Sequence, residues 1–270
     1  MDAHYNAVWI SDTHLCSRGC QLEHLLRFIR RVRCRYLYLV GDILDLWVFR
    51  RRRYWPQELN NVLRSLLGQT KHGTQVIYIC GNHDEGLRQF AGSTFGNIGL
   101  YTQAVHTTAD GRRFLVLHGH EVDPVMQYRR WLSRLCASVY DYSVSLERIL
   151  NRLWQALGLS PFYLSGPIKR RVENGVKPIK AYELALARHA RQFGADGVIC
   201  GHTHAPAIKE IEGTLYCNAG DWIDSCTALV EKADGSLELL RWLDEPESAE
   251  DPASEPRHAR QPDRHVLLVR

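Results

Sequence analysis

The sequence predicts an α/β fold in which two mixed β-sheets form a sandwich with helices on the outside. Apolar runs of strand length alternate with helical patterns in the first half of the chain. Short alternating strands then follow one another between Ala207 and Leu243, with turns at Glu212-Gly213 and Asp234-Gly235, which is typical of a meander. Together these patterns favour mixed sheets over a purely parallel one.

The individual elements follow from apolar spacing and from start and stop signals. Leu22, Leu25, Leu26 and Ile29 recur at helical spacing and predict a helix over 21–33. Pro56 begins a second helix over 56–67, and Gly194 ends a third over 179–193. Strands are predicted at 6–10, 36–40, 75–80, 113–117 and 197–200, with weaker strands near 98–106.

Two segments depart from this alternation. Residues from about 123 to 180 carry large apolar side chains at steps of three and four, which predicts a helical insertion. The chain from about residue 244 to 270 is rich in Pro, Glu and Ala and is predicted to be a disordered tail, although its last six residues are apolar again. We therefore expect one domain over 1–243, with the insertion inside it.

Composition narrows the class of protein. The net charge of +4 is too small to indicate a nucleic-acid-binding protein, and no segment is long and apolar enough to span a membrane. No leader precedes the first strand, so we expect no signal peptide and a cytoplasmic location. The eight cysteines form no CxxC pair, and several lie in apolar strands or helical patterns, which favours reduced, packed thiols.

Polar clusters follow five apolar segments directly. They consist mainly of Asp, Asn and His, whose oxygen and nitrogen atoms suit metal ions. One such cluster alone would be typical of a capped turn or of surface histidines, but chance does not readily place five at strand ends. Ligands bind at the carboxyl edge of open α/β sheets, so we interpret Asp42 as a carboxylate shared by two metals. The clusters are Ser11-Asp12-Thr13-His14, Gly41-Asp42-x-x-Asp45, Gly81-Asn82-His83-Asp84, His118-Gly119-His120 and Gly201-His202-Thr203-His204.

The side chains of Asp12 and His14 can converge only if the backbone between them has a particular conformation. Side chains two residues apart point to the same side only in an extended chain. The first strand delivers Asp12 and His14 to the turn after it, so their side chains point to one place only if the segment is still extended there.

This ordered set of motifs closely resembles the calcineurin-like metallophosphoesterases, over residues 8 to about 230. The resemblance implies a sandwich of two mixed β-sheets flanked by helices, with the insertion as a helical lid. It implies two divalent metal ions, with manganese as the family precedent and iron or zinc as alternatives. One metal would be held by Asp12, His14, Asp42 and His204, and the other by Asp42, Asn82, His118 and His202.

The resemblance also implies roles in catalysis. A hydroxide that bridges the two metals would attack the phosphorus, and the metals would offset the charge that builds on the phosphoryl oxygens. His83 would donate a proton or a hydrogen bond to the leaving oxygen, oriented by Asp45. The alternative role for His83 is to support a metal ligand without contacting the substrate. His120, Arg129 and Arg130 are candidate substrate contacts, and His120 could equally support a ligand.

Within the family, the chain resembles the branch that hydrolyses UDP-2,3-diacylglucosamine in lipid A synthesis. The stretches Ile10–Leu15 and Gly41–Trp47, together with the insertion, carry this likeness. One residue departs from the pattern, because that branch has arginine where this chain has His83. The expected substrate is therefore either a lipid-linked nucleotide sugar of this kind or, for a soluble phosphodiesterase or phosphatase, a small or nucleotide ester. A non-enzymatic scaffold is the third hypothesis, and the retained ligands argue against it.

The insertion allows three interpretations. Residues 123–180 contain ten Lys/Arg and four Asp/Glu beside several aromatic residues, which suits an interfacial helix on anionic lipid. Arg50, Arg51, Arg52 and Arg53, followed by Tyr54 and Trp55, could extend that surface at the inner membrane face. The alternative is a helical hairpin packed on the core with solvated arginines. The third is a nucleic-acid surface, which arginines beside aromatic residues allow, although no recognised binding motif supports it.

Overall fold

The computed structural model describes residues 4–123, 179–244 and 266–269. The chain divides into two compact units, Met1–His120 with Leu184–Arg270 and Glu121–Glu183. The helix predicted within the insertion, together with Arg129 and Arg130, lies outside the described residues.

A seven-stranded sheet is built around four parallel strands. Its order is β12-β11-β1-β2-β3-β5-β4; β1, β2, β3 and β5 are parallel neighbours, while β11, β12 and β4 pair antiparallel. The bounds are β1 His4–Ile10, α1 Leu22–Arg31, β2 Arg33–Val40, α2 Leu46–Arg52, α3 Gln57–Lys71, β3 Gln75–Ile79, β4 Thr94–Phe95, β5 Ile98–Tyr101, β11 Thr227–Glu231 and β12 Leu237–Arg241. A 3-10 helix, Glu85–Phe90, follows β3, and another, Trp242–Asp244, follows β12.

A six-stranded sheet forms the second layer. Its order is β13-β6-β7-β8-β10-β9, in which β7, β8 and β10 are parallel neighbours and the other pairs are antiparallel. Its strands are β6 Gln103–Thr107, β7 Arg113–Leu117, β8 Gly197–Cys200, β9 Ala207–Ile211, β10 Thr214–Asn218 and β13 Val266–Val269; α4, Ile179–Gln192, precedes β8. The mixed-sheet prediction is confirmed.

Alternation along the strands divides the core into two layers. Trp9 and Tyr38 point toward the second sheet and pack with Phe114 and Val116, whereas Ile10 and its neighbours on the other face pack under α1 and α3. Strands covered on both faces read as continuous apolar runs, which is why β1, β2 and β3 were evident in the sequence.

Two features of the fold depart from the sequence prediction. Helix α2 was not foreseen, and Asp45 caps it by accepting a hydrogen bond from the Val48 amide at 2.8 Å. Within the predicted tail, Val266–Val269 pairs antiparallel with β6, while residues 245–265 lie outside the described part of the chain. Among the helices of the described residues, none has the length and apolarity that crossing a bilayer requires.

Candidate metal centre

Both sheets deliver their polar clusters to the same edge. The loops after the parallel strands β1, β2 and β3 carry Asp12 with His14, Asp42 with Asp45, and Asn82 with His83. The loops after β7 and β8, parallel in the second sheet, carry His118, His120, His202 and His204. The carboxyl edges of the two central strand sets therefore face one site, as expected for ligand binding in α/β sheets.

The backbone at this edge is left-handed at five residues. Asp12, His14, Asp42, His202 and His204 have φ between 45° and 68°, and they make up half of the ten non-glycine residues with positive φ in the described chain. Each such residue costs about 1–3 kcal/mol, and backbone of this kind is concentrated at functional sites. The segment is therefore not extended at Asp12 and His14, and the left-handed backbone of these two residues, not strand geometry, brings their side chains together.

Neighbouring loops support each other through their backbones. The Asp12 amide donates to the Gly41 carbonyl at 3.1 Å, and the His14 amide donates to the Asp42 carbonyl at 2.9 Å. The second carboxylate oxygen of Asp12, Oδ2, accepts from the His202 amide at 2.8 Å, which joins the first sheet's loops to the second sheet's. These bonds fix the separation of the carboxylates and imidazoles.

Glycines in the motifs allow the loops to approach closely. A Cβ on Gly81 would collide with the Asp42 carboxylate and amide nitrogen, and one on Gly201 would collide with the side chains of Ser11 and Asp12. Glycine is therefore required at both positions for steric reasons.

Asp42 lies at the centre of the cluster. Its Oδ1 accepts from the His83 amide at 2.8 Å, and its Oδ2 lies 3.4 Å from His118 Nε2 and 3.8 Å from His14 Nε2. Burial by itself raises the pKa of Asp42, but His118 and the other nearby imidazoles lower it well below the usual range. The buried Oδ2 is thus an anionic oxygen that faces imidazoles from both sheets.

Oxygen atoms next to Nδ1, on the side of the ring away from the site, orient two of the imidazoles. His118 Nδ1 lies 3.0 Å from the Val40 carbonyl, and His14 Nδ1 lies 3.2 Å from Asp45 Oδ2. Because carbonyl and carboxylate oxygens only accept, Nδ1 carries the proton in both rings, and Nε2 presents its lone pair to the site. This is the arrangement found in histidines that bind metals.

The buried atoms of the described residues that make no hydrogen bond include three at this site: Asp12 Oδ1, His14 Nε2 and Asn82 Oδ1. An acceptor without a donor is costly in the interior, and a cation would satisfy all three. Two groups of predicted ligands have donor atoms within 4.8 Å of one another, Asp12 with His14 and His204, and Asp12 with Asp42 and His118. The residues therefore fit divalent metal ions held by nitrogen and oxygen.

His83 lies beside these groups and remains accessible. Its side chain is 25% exposed, its Nδ1 lies 3.1 Å from Asp45 Oδ2, and its ring centroid is 4.2 Å from that of Trp47. Burial alone lowers the pKa of His83, but Asp45 and Asp42 raise it, and the net effect is an increase. The protonated ring can therefore persist to higher pH than a free histidine.

His120 has different surroundings. It is buried, and its ring centroid lies 5.5 Å from that of His118. Burial and the neighbouring His118 and His202 lower the pKa of His120 to about 3, so the ring is neutral at physiological pH. Its position agrees equally with support of His118 and with a neutral contact to substrate.

Two supporting residues were not assigned a role from sequence. Asp84 accepts from the Gly81 and Ile43 amides and from the Tyr78 hydroxyl, and burial together with Asp42 raises the pKa of Asp84 to about 6. Asn218 is fully buried at the end of β10. A polar residue after an apolar strand was the available signal for Asn218, but a lone Asn is a common turn residue.

Comparison with known proteins adds a family match. A model of the calcineurin-like phosphoesterase family matches residues 5–206, about three quarters of the chain. A UDP-2,3-diacylglucosamine hydrolase of Neisseria meningitidis serogroup B is 29% identical over 242 residues, which are 85% of this chain and 94% of that protein. A protein of the same name from Haemophilus ducreyi is 25% identical over 248 residues, 86% of this chain and 98% of that protein.

Among solved structures, wild-type Vps29 complexed with zinc from Entamoeba histolytica aligns with a TM-score of 0.41 and 17% identity. The alignment covers 87% of this chain and 97% of that one.

Proposed function

This chain belongs to the calcineurin-like phosphoesterase family and is a phosphoester-hydrolysing enzyme, and we propose that it acts through two divalent metal ions at the strand-end site. One ion would be held by Asp12, His14, Asp42 and His204, and the other by Asp42, Asn82, His118 and His202. The observation that carries the proposal is the buried Asp42 Oδ2, which faces imidazole nitrogens from both sheets at 3.4 and 3.8 Å. A shared anionic oxygen is what a closely spaced pair of cations requires.

When bound, the metals supply an acidified water and positive charge beside the phosphoryl oxygens. The protein's own contribution is orientation and proton transfer. Asp45 holds His14 and His83 from one side, so that His83 meets the leaving oxygen as a proton donor. The donor set of nitrogen and oxygen without thiolate suits manganese, iron or zinc, and we propose manganese because it is the family precedent.

The proposed substrate is a lipid-linked nucleotide sugar of the UDP-2,3-diacylglucosamine type, hydrolysed at its pyrophosphate. The named relatives from Neisseria and Haemophilus support this class, since their alignments extend over 93% or more of those proteins. The basic surface at Arg50–Arg53 supports a position of the enzyme on an anionic membrane, because α2 has no buried residue and no acid in its first turn.

The experiment is hydrolysis of UDP-2,3-diacylglucosamine by metal-free protein with and without Mn²⁺, with release of UMP as the readout. We expect turnover only with the metal, and we expect Asp42→Asn to lose both Mn²⁺ binding and more than about a hundredfold of activity, because even supporting residues of metal sites cost 10–100-fold. Asp234→Asn, in an exposed turn, is the matched control and should behave as the wild type. Metal-independent turnover would contradict the proposal.

A second candidate is a soluble phosphodiesterase or phosphatase that acts on a small or nucleotide ester. The observation that favours it is His83, whose imidazole, 25% exposed and supported by Asp45, can protonate leaving groups of many kinds. Rapid hydrolysis of small phosphodiesters without turnover of the lipid-linked substrate would favour this candidate.

A further inference from the structure

Asn218 lies at the end of β10, behind the turn that carries His202 and His204. Its side chain is fully buried, and β10 is the parallel neighbour of β8, which leads into that turn. It is outside the ligand set described above and cannot reach a substrate directly, because no part of it is exposed.

Both ends of the Asn218 amide are used. Nδ2 donates to the Gly201 carbonyl at 2.7 Å and lies 3.0 Å from Thr203 Oγ1, and Oδ1 accepts from the Gly220 amide at 2.8 Å. The side chain therefore ties the turn Gly201–His204 to the loop that follows β10. That loop also supports the first sheet's ligands, since the Trp222 amide donates to the Asp12 carbonyl at 3.2 Å.

The turn needs such support because its backbone is unfavourable. His202 and His204 both have left-handed φ values, 68° and 55°, and such residues persist only where their surroundings determine them. Bonds from the Gly201 amide to the His118 carbonyl and from the His202 amide to Asp12 fix the start of the turn, and Asn218 fixes its middle through Thr203.

We propose that Asn218 is the positioning residue that holds His202 and His204 in their metal-binding orientation. This inference rests on the proposed function, because it assumes that these histidines bind metal. Since the turn supplies one histidine to each proposed ion, loss of Asn218 weakens both sites and not only one.

The substitution that isolates this role is Asn218→Asp. An aspartate has the same shape and still accepts from the Gly220 amide, but as a carboxylate it has no N–H to donate to the Gly201 carbonyl. Thr214→Val is the matched control, because Thr214 is a buried polar residue at the other end of β10, away from the site.

The experiment is titration of metal-free protein with Mn²⁺, followed by electron paramagnetic resonance and by competition with a chelator. We expect the wild type and Thr214→Val to give the spectrum of two coupled ions, and Asn218→Asp to bind Mn²⁺ about 10–100-fold more weakly with loss of the coupling. Thermal unfolding of the metal-free proteins separates this effect from a loss of stability, because stability alone would not change the spectrum.

A second pair of variants covers the case in which Asn218→Asp does not fold. Thr203→Val removes the hydroxyl that Asn218 contacts, and Thr203→Ser restores it on a half-buried residue. We expect several-fold weaker Mn²⁺ binding for the valine variant and wild-type binding for the serine variant. Wild-type spectra and affinities for Asn218→Asp, or for Thr203→Val, would overturn this inference alone, whereas a wild-type protein that binds no Mn²⁺ would overturn the proposed function with it.

Discussion

Asp45 contacts two imidazoles through one carboxylate oxygen, and these contacts have separable consequences. Oδ2 lies 3.2 Å from His14 Nδ1 and 3.1 Å from His83 Nδ1, while Oδ1 caps α2. The contact with His14 orients a proposed metal ligand, and the contact with His83 affects the protonation of the proposed acid. Burial raises the pKa of Asp45, but the two histidines lower it below the usual range, so the group is ionised throughout the working pH.

Replacement of Asp45 by asparagine tests both consequences. Without the carboxylate the pKa of His83 falls, the proton is lost at lower pH, and the alkaline limb of the kcat profile therefore moves to lower pH. Loss of the orienting contact to His14 should also weaken Mn²⁺ binding by about 10–100-fold. The profile is measured at saturating Mn²⁺, with Asp234→Asn as the control. An alkaline limb that stays in place would show that His83 is not the group that titrates.

Glycine in the strand-end motifs allows the loops that carry the proposed ligands to approach each other closely. We expect Gly81→Ala to lose Mn²⁺ binding, because the new methyl group would collide with the Asp42 carboxylate and amide nitrogen and would push the β2 and β3 loops apart. Gly68→Ala in α3 is the matched control. Its Cβ meets nothing within 4 Å, and alanine should stabilise the helix by up to about 1 kcal/mol. Mn²⁺ affinity and urea unfolding of both variants provide the comparison, and unchanged affinity in Gly81→Ala would contradict the steric argument.

At the scale of elements, the sequence patterns located the strands that are buried on both faces. Strands β7 and β8 have the predicted bounds, 113–117 and 197–200, because apolar runs between polar clusters mark their ends. Helix α2 was missed because it buries no residue, so its sequence lacks an apolar period. The types of the site residues and their gathering at the strand ends were predictable from the motifs, but the local backbone was not, since left-handed φ values at Asp12 and His14 leave no simple pattern in the sequence.

The exposed arginines of α2 provide a test of the membrane proposal. Arg51 and Arg52 are exposed, and Trp55 beside them is 42% exposed. At about 1 kcal/mol for each basic residue at an anionic surface, Arg51→Ser with Arg52→Ser should weaken binding to anionic vesicles by about thirtyfold. Arg30→Ser with Arg35→Ser removes the same charge from other exposed positions and is the control. Equal losses in the two double variants would indicate a net-charge effect and not a specific surface.

At the scale of the whole molecule, the two sheets are joined by a buried polar contact as well as by apolar packing. His106 on β6 lies 2.7 Å from Glu231 on β11 and 3.0 Å from the Tyr38 hydroxyl on β2, so one imidazole contacts two strands of the opposite sheet. Glu231 also accepts from the Ala109 amide at 2.7 Å, and the side chains of His106 and Glu231 are both fully buried. The site at the sheet edges depends on this spacing, because its ligands come from both layers.

Removing one partner of this pair should therefore destabilise the entire domain. His106→Ala leaves Glu231 buried without its imidazole, and breaking a buried pair in this way costs about 3–5 kcal/mol in the free energy of unfolding. The neighbouring surface pair of Lys232 and Glu238, which is about half exposed, is the matched control, and Lys232→Ala should leave stability nearly unchanged. Urea unfolding at neutral pH measures both variants. If the two lose equal amounts of stability, the buried contact is no more important than a surface ion pair, and apolar packing alone holds the sheets at the separation that the metal centre requires.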